Sequence, residues 1–370
     1  MKTVLIAPRK YVQGRDVIKE IGVYIAALGK KPLVLWDSNV KGIVGEAILA
    51  SLEAAGLEVI GVDFQGESSH EEVDRVAKIA RDNGADVSIG VGGGKTLDTA
   101  KAAAAACNIK MVTVPTIAST DTPTSSATVW YDAEGNCTGF ECWAYNPDLV
   151  LVDSQVIANG PVRAFVSGMG DALSTWVEAE AAYTTRAVNL GGGCSTMAAM
   201  AIARLAFETL MEFGLEAKRA VELNVVTPAV EKVVEANVLL SGLGFESGGL
   251  ATAHMIANCL SSFPECKNLM HGDKVGFGII SQLCLDDDVD MEEVHGIVDF
   301  EIAVELPVTF ADLGFDDVTR DKLRPIADAC AGEGSLSHNH PFEVTSEGVI
   351  DAMIAADALG RSRKEMFGIG

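Results

Sequence analysis

Short apolar runs alternate with amphipathic segments from the N-terminus to residue 152, and this alternation constrains the fold more than any other feature. The segments between the runs have helical spacing, and two of them open with capping signals at Asp37-Ser38-Asn39 and at Ser69-x-x-Glu72. Strands that alternate with helices of this length predict right-handed βαβ units and a parallel sheet. The apolar runs cover residues 4–6, 31–36, 57–62, 86–91, 111–114 and 149–152.

The pattern changes twice along the chain. Two β-rich runs within residues 128–140 flank a turn that contains Gly135 and Asn136, which predicts a β-hairpin. After Asp153, Ala-, Leu- and Met-rich stretches with helical period continue to the C-terminus. We therefore expect an N-terminal α/β domain at residues 1–160 and an all-helical domain at residues 161–370, with a ligand cleft between them.

Charge and composition exclude several classes of protein. A net charge of −24 disfavours binding to nucleic acids and to anionic membranes. No stretch of about 18 apolar residues could span a bilayer, and the apolar core after Met1 is too short for a signal peptide. The eight cysteines contain no C-x-x-C pair, which disfavours a disulfide scaffold or a zinc ribbon. We therefore expect a cytoplasmic protein that acts on a small molecule.

A glycine-rich segment, Gly92-Gly93-Gly94-Lys95, lies between a predicted strand and a predicted helix. Glycines there let a phosphate approach the backbone, and the free N–H groups of the helix start favour its charge. The segment is neither a P-loop nor a G-x-G-x-x-G motif, because Ile89 and Lys95 stand where those motifs need glycine. It predicts a phosphate cradle of another type; the alternative is a tight turn without a ligand.

Asp37 follows the second predicted strand. An acidic residue at this place can bind a ribose hydroxyl and would repel an added 2′-phosphate, which favours NAD over NADP. The alternative is that Asp37 only caps the next helix, and both roles are compatible.

Two histidines and one aspartate suggest a metal site in the helical half. His254 and His271 bracket one short segment, and Asp171 stands among apolar residues and glycines, where a carboxylate needs a partner. Two imidazoles and a carboxylate are typical of a catalytic zinc site, with iron as an alternative. The alternative for each histidine is a packed core residue. His338 and His340, before Pro341, are predicted to be surface or packing residues.

The glycine-rich segment at residues 92–101 resembles the nucleotide loop of iron-containing (group III) alcohol dehydrogenases. Within that family, residues 115–125, 168–173, 241–250 and 269–275 are similar to glycerol dehydrogenases, and the resemblance is collinear over nearly the whole chain. It implies a dehydroquinate synthase-like fold, NAD as cofactor and one divalent metal, which is zinc in this branch, with iron or manganese as alternatives. It also implies a homo-oligomer, often an octamer.

The resemblance assigns roles to individual residues. The metal ligands fall on Asp171, His254 and His271, which form the predicted catalytic set together with Asp121. Asp121 would hold a substrate hydroxyl, and Phe245 would complete the substrate contacts. The cofactor contacts fall on Asp37, Gly92, Gly93, Gly94, Lys95, Asp98, Thr116, Ser119, Ser125 and Tyr131.

The implied activity is NAD-dependent oxidation of glycerol, or of related vicinal diols, with glycerol giving dihydroxyacetone. Three departures bear on the substrate: Ala257 stands where family members commonly carry a second histidine, Cys259 replaces a glycine, and Ala127 stands where a larger aliphatic residue is usual. The alternatives are a dehydrogenase of another small alcohol or of glycerol phosphate, and a catalytically weak protein that binds NAD and metal. Residues 240–280 offer only Lys267 and Lys274 as basic groups, which disfavours a phosphorylated substrate.

Overall fold

The computed structural model describes residues 2–369, which contain eight strands. They are β1 (Tyr11–Gly14), β2 (Pro32–Trp36), β3 (Ile60–Asp63), β4 (Val87–Gly92), β5 (Lys110–Pro115), β6 (Ala127–Tyr131), β7 (Cys137–Cys142) and β8 (Leu149–Asp153). Six of them form one parallel sheet in the order β1-β8-β5-β4-β2-β3. The other two, β6 and β7, form the antiparallel hairpin that the sequence predicts.

Helices separate the strands and make up most of the remaining chain. Those of the first part are α1 (Ile21–Ala26), α2 (Ser38–Ala54), α3 (His70–Asn83), α4 (Gly94–Cys107) and α5 (Ser154–Ala158). The others are α6 (Val162–Thr185), α7 (Met197–Glu222), α8 (Pro228–Glu235), α9 (Ser241–Gly248), α10 (Thr252–Leu260), α11 (His271–Leu283), α12 (Met291–Val304), α13 (Arg320–Ala331) and α14 (Ser346–Met366). The predicted class, a parallel-sheet α/β domain with an all-helical domain, is confirmed.

Local sequence explains where the elements begin. The central strands β2 and β4 are buried along their whole length, as expected for a sheet that is covered on both faces. The hydroxyl of Ser69 accepts a hydrogen bond from the N–H of Glu72 at 3.2 Å and so caps α3. The Glu72 carboxylate does not complete the capping box; it binds the N–H of Gln65 and the guanidinium of Arg75.

Apolar layers cover both faces of the parallel sheet. One layer packs α1 and α2 against the sheet through residues that include Ile21, Ile25, Ile48 and Leu52. The other packs α3 and α4 through Val76, Ala77, Ala100 and Ala103. A separate apolar core joins α10 to α14 of the helical part through residues that include Ile256, Phe277, Ile280, Val298, Phe310, Ile326 and Met353.

The chain divides into two compact units. One comprises Ile6–Phe165 and Ala220–Gly242; the other comprises Met1–Leu5, Val166–Arg219 and Leu243–Gly370. The domain limits at residues 160 and 161 stay a prediction. Among residues 2–369, no helix is both long enough and apolar enough to cross a membrane.

The predicted first strand is wrong. Residues 4–6 form no strand, and their neighbour Thr3 makes only an isolated bridge with Cys194. The first strand is β1, which lies at the sheet edge beside β8 and is only half-buried. An edge strand needs little apolar character, so its sequence signal is weak.

Candidate functional site

Asp171, His254 and His271 lie together, as the sequence predicts. Oδ1 of Asp171 is 3.5 Å from Nε2 of His254 and 3.4 Å from Nε2 of His271. One ligand atom from each residue lies within 4.8 Å of the other two, so the three could hold one metal ion. Asp171 and His254 are buried, whereas the His271 side chain is 34% exposed, so the cluster is open on the His271 side. Three protein ligands with an accessible side are typical of a catalytic metal site.

Close packing of α11 against α6 sets the position of His271. Gly272 follows His271, and a Cβ atom at Gly272 would lie 1.7 Å from the carbonyl oxygen of Ser167. The N–H of Gly272 also donates to the hydroxyl of Ser167 at 3.1 Å. Only glycine allows this approach. The start of α11 is thereby held one turn from Asp171 on α6, which brings the His271 ring to the carboxylate.

Glu178 holds His254 from the side opposite to Asp171. Nδ1 of His254 lies 2.5 Å from Oε2 of Glu178, whose other oxygen accepts from the backbone N–H of Ala251 and of His254. Because a carboxylate only accepts hydrogen bonds, Nδ1 carries a proton toward Glu178, and Nε2 is the ring nitrogen that faces Asp171. A carboxylate that orients a histidine in this way recurs behind metal-binding histidines.

The charges of the cluster favour ligands in the ionised state. Burial alone would raise the pKa of the Asp171 carboxyl, but the imidazoles of His271 and His254 hold it below its ordinary value. Burial acts in the same way on Glu178, and His254 again lowers its pKa. Both carboxyl groups are therefore carboxylates at neutral pH, the form that binds a cation or accepts a hydrogen bond.

The glycine-rich segment lies at the carboxyl ends of adjacent parallel strands. Gly92 ends β4 and pairs with Pro115 of β5, and the N–H of Thr116 donates to the carbonyl of Gly92 at 3.1 Å. Helix α4 begins at Gly94, and its first N–H groups have no side-chain cap. A Cβ at Gly94 would come within 3.8 Å of the Thr122 hydroxyl, so the segment faces the loop after β5. This edge of a parallel sheet is where nucleotides bind in such folds.

Two further predicted cofactor residues flank the glycines. Lys95 lies over the ring of Tyr131 at 4.4 Å and forms an ion pair of 2.5 Å with Glu67. Asp37 follows β2, the strand next to β4, and its Oδ1 accepts from the N–H groups of Asn39 and Val40. Asp37 is therefore a helix cap, and its ribose-binding role stays a prediction.

The remaining predicted cofactor residues lie in and near the loop after β5. Thr116 is half-buried, Ser119 and Ser125 are buried, and all three precede β6. Asp98 lies inside α4 with its carboxylate buried, where it binds Lys101 and the N–H of Val129. Burial raises the pKa of Asp98, and Lys101 opposes that effect. A direct contact of Asp98 with the cofactor stays a prediction.

Asp121, the predicted substrate-binding residue, is oriented by Ser241. The Ser241 hydroxyl donates to Oδ2 of Asp121 at 2.9 Å. Ser241 follows a single π-helical turn at residues 236–240, in which Asn237 donates to the carbonyl of Ala118 at 3.1 Å. A π-helical turn shifts the register of a helix and often occurs at functional sites. Phe245 is buried in α9, and its substrate contact stays a prediction.

The other two candidate histidines lie outside the cluster. His338 is exposed and its Nε2 bonds to the carbonyl of Gly332 at 2.8 Å. His340 is buried and stacks on Phe342, and burial lowers its pKa. Ala257 is fully buried one turn after His254 in α10.

Sequence reasoning missed Glu178, Lys101 and Ser241. Glu178 could have been found, because it follows Asp171 by two helical turns on the same face within an apolar stretch of α6. Lys101 lies three residues after Asp98 in the helix that the glycines open. No local pattern marks Ser241, whose partner is 120 residues away.

Comparisons with known proteins show the family to which the chain belongs. The family model for iron-containing alcohol dehydrogenase matches residues 8–154. The chain is 44% identical over 361 residues to glycerol dehydrogenase of Citrobacter freundii, covering 98% of this chain and 99% of the relative. It is 43% identical over 361 residues to glycolaldehyde reductase of Halobacterium salinarum, with the same shares covered.

A solved structure supports the same family assignment. Glycerol dehydrogenase of Schizosaccharomyces pombe superposes with a TM-score of 0.95 at 37% identity, over 100% of this chain and 94% of that chain. Sequence identity this high over nearly the full length indicates membership of the same family and not only a shared fold. The chain therefore belongs to the iron-containing alcohol dehydrogenase family, in the branch that includes the glycerol dehydrogenases.

Proposed function

We propose that the protein is an NAD-dependent, metal-dependent dehydrogenase that oxidises glycerol and related vicinal diols, with glycerol giving dihydroxyacetone. The observation that carries the proposal is the cluster of Asp171, His254 and His271 in a chain so similar to glycerol dehydrogenases over its full length. The alternatives that the sequence leaves open are a dehydrogenase of another small alcohol or of glycerol phosphate, and a catalytically weak protein that binds NAD and metal. The relatives named glycerol dehydrogenase do not favour them.

Asp171, His254 and His271 would hold the metal. Their donor set, two imidazole nitrogens and one carboxylate oxygen, fits zinc, with iron or manganese as alternatives. The open side of the cluster, at half-buried His271, leaves room for a substrate oxygen. A divalent metal bound there supplies the positive charge that lowers the pKa of a substrate hydroxyl.

The glycine-rich segment and its neighbours would hold NAD. The uncapped start of α4 offers N–H donors to the pyrophosphate, and Lys95 adds a positive charge beside them. Asp37 keeps its Oδ2 for a ribose hydroxyl while its Oδ1 caps α2. NAD held there would supply the hydride acceptor for oxidation of the alcohol, and the protein would supply orientation and charge.

Asp121 would fix the orientation of the diol. Its carboxylate accepts from Ser241, which holds the group in one rotamer, and a carboxylate can accept several hydrogen bonds, including one from a substrate hydroxyl. Binding a second hydroxyl in this way selects polyols over simple alcohols. Because buried Ala257 offers no polar group, selectivity among diols would depend on Asp121.

Location and assembly complete the proposal. All eight cysteines are thiols and none is in a disulfide, which fits a reducing compartment and hence the cytoplasm. A homo-oligomer follows only from the family resemblance.

The test is NADH formation by metal-loaded protein with glycerol, 1,2-propanediol, ethanol and glycerol 3-phosphate, each with NAD and with NADP. We expect turnover of the two diols with NAD and much weaker turnover of ethanol. Reduction of glycolaldehyde by NADH, measured in parallel, probes the activity named for the Halobacterium relative.

The variant that tests the metal role is His271→Ala, which removes one predicted ligand from the half-buried side of the cluster. It should bind NADH as the parent does and oxidise no diol. Equal activity of variant and parent would refute the metal role, and preference for ethanol or glycerol 3-phosphate would refute the substrate.

A further inference from the structure

Lys101, on α4, is a fully buried cation, with 0% of its surface exposed. Lysine is almost never buried completely unless its charge is paired. Its Nζ lies 2.8 Å from Oδ1 of Asp98, one turn earlier on the same helix. The cost of removing both charges from water must therefore be offset by what the ammonium group binds.

The ammonium group binds the loop that joins β5 to β6. Nζ of Lys101 donates to the carbonyl oxygens of Thr122 at 3.0 Å, of Ser125 at 3.3 Å, and of Ala127. These three carbonyls match the three N–H donors of the lysine, and the Asp98 carboxylate pairs with its charge. One side chain thus gathers two backbone carbonyls of a segment without regular secondary structure and the first carbonyl of β6.

Asp98 extends this anchor into β6, the first strand of the hairpin. Its Oδ2 accepts from the N–H of Val129 at 3.0 Å, and its own carbonyl accepts from the hydroxyl of Thr128 at 3.2 Å. The pair therefore holds the chain from Thr122 to Val129 against α4.

Other groups hold the carbonyls that Lys101 does not reach. The hydroxyl of Thr113 donates to Pro123 at 2.7 Å, the amide of Asn146 donates to Thr124 at 3.0 Å, and the N–H of Trp143 donates to Ser126 at 3.0 Å. Every carbonyl from residue 122 to residue 127 thus has a donor. A loop without ladder hydrogen bonds gains a single conformation in this way.

We propose that Lys101 is a positioning residue, which acts through the loop after β5 and fixes the groups that bind the cofactor and the substrate. The loop carries Ser119, Asp121 and Ser125, three of the predicted contacts, and the proposal therefore rests on the proposed function. Lys101 itself touches neither ligand in this account; it acts by holding carbonyl oxygens at Thr122 and Ser125, next to those contacts.

The first variant is Lys101→Met, which keeps the length of the side chain and removes the ammonium group. Because it leaves the Asp98 carboxyl buried without its cation, the double variant Asp98→Asn/Lys101→Met is made as well. We expect both to bind NADH more weakly and to lose about 100-fold in kcat/KM for glycerol, since small displacements of positioned groups have effects of that size. Metal affinity should be unchanged, because the cluster lies in the other unit.

The matched control is Ser88→Ala. The Ser88 hydroxyl is buried and donates to the carbonyl of Ala100 at 3.0 Å, so the control removes a hydrogen bond from the same helix without touching the loop. It should lower the thermal stability yet keep the NADH affinity and kcat/KM of the parent. Amide exchange at Val129 should accelerate in the Lys101 variants and not in the control.

Each possible result of these measurements supports or overturns the positioning role of Lys101. Folded Lys101 variants that keep the parent's NADH affinity, kcat/KM and amide exchange would overturn the positioning role. Loss of fold in both variants would overturn it in favour of a purely structural role. If the parent protein neither binds NADH nor oxidises glycerol, the proposed function fails instead, and faster exchange at Val129 would still show that Lys101 holds the loop.

Discussion

Replacing Glu178 by glutamine should weaken metal binding although Glu178 contacts no metal in this account. The Glu178 carboxylate receives three N–H donors: Nδ1 of His254 and the backbone groups of His254 and Ala251. A glutamine offers one oxygen and one NH₂ group. In either orientation of the amide, at least one buried donor then faces another donor.

The size of the effect follows from this mismatch. If the NH₂ group faces Nδ1, the imidazole must move its proton to Nε2, the nitrogen that faces Asp171. If the oxygen faces Nδ1, the start of α10 loses its acceptor at Ala251. Loss of such an orienting partner weakens metal binding by about 10–100-fold. Because one orientation places a proton on the nitrogen that faces the metal site and the other leaves buried backbone donors unpaired, we expect the upper end, about 2.7 kcal/mol of binding free energy.

The assay is competition for Zn²⁺ between the protein and a chromogenic chelator, for the parent, Glu178→Gln and Glu180→Gln. Glu180 lies two residues later on α6 and is exposed, so the same substitution there leaves the cluster intact. The control should bind zinc as the parent does. A Glu178→Gln dissociation constant equal to that of the control would refute the orienting role of Glu178.

Three further predictions follow from single contacts. Asp37→Asn should keep the cap of α2 yet relax the preference for NAD over NADP, whereas Asp37→Ala should also lose about 1 kcal/mol of unfolding free energy. Kinetics with both cofactors test the ribose contact, and urea unfolding tests the cap. An unchanged cofactor preference in Asp37→Asn would refute the ribose contact. Gly272→Ala should lower both thermal stability and zinc affinity, because its Cβ would meet the Ser167 carbonyl at 1.7 Å; normal zinc affinity would contradict the packing argument. Burial raises the pKa of Glu301 well above its ordinary value, so the stability linked to its proton is fully present below the ordinary pKa and is lost as the pH rises toward the folded-state pKa. Glu301→Gln should therefore gain stability relative to the parent on going from about pH 5 to about pH 9. Urea unfolding that shows the same difference between variant and parent at both pH values would contradict this.

Much of the fold could be predicted because the buried strands are continuous apolar runs. Each of β2, β4, β5 and β8 is recognisable on its own. The sequence predicts a first strand at residues 4–6 because those residues are apolar, whereas β1 contains Gln13, which bonds to Glu231 far along the chain. An edge strand that is stabilised by such distant polar contacts leaves no local pattern.

The candidate metal site could be predicted for a related reason. Asp171 and His254 are polar residues in apolar helices, and such residues require partners. Glu178 obeys the same rule, but its partner His254 lies 76 residues away, and only the folded chain reveals the pair. Asp98 illustrates the converse, since its place beside the glycines suggests a cofactor contact while its carboxylate is held by Lys101 and Val129.

The most direct test of the central claim is metal reconstitution followed by NADH formation from glycerol. Protein that has been stripped of metal by a chelator is titrated with Zn²⁺, and bound metal and initial rate are measured on the same samples. The account predicts no glycerol oxidation without metal and a rate that rises in proportion to bound zinc up to one ion per chain. Glycerol oxidation by the stripped protein would contradict it, as would no oxidation by protein that holds both zinc and NAD.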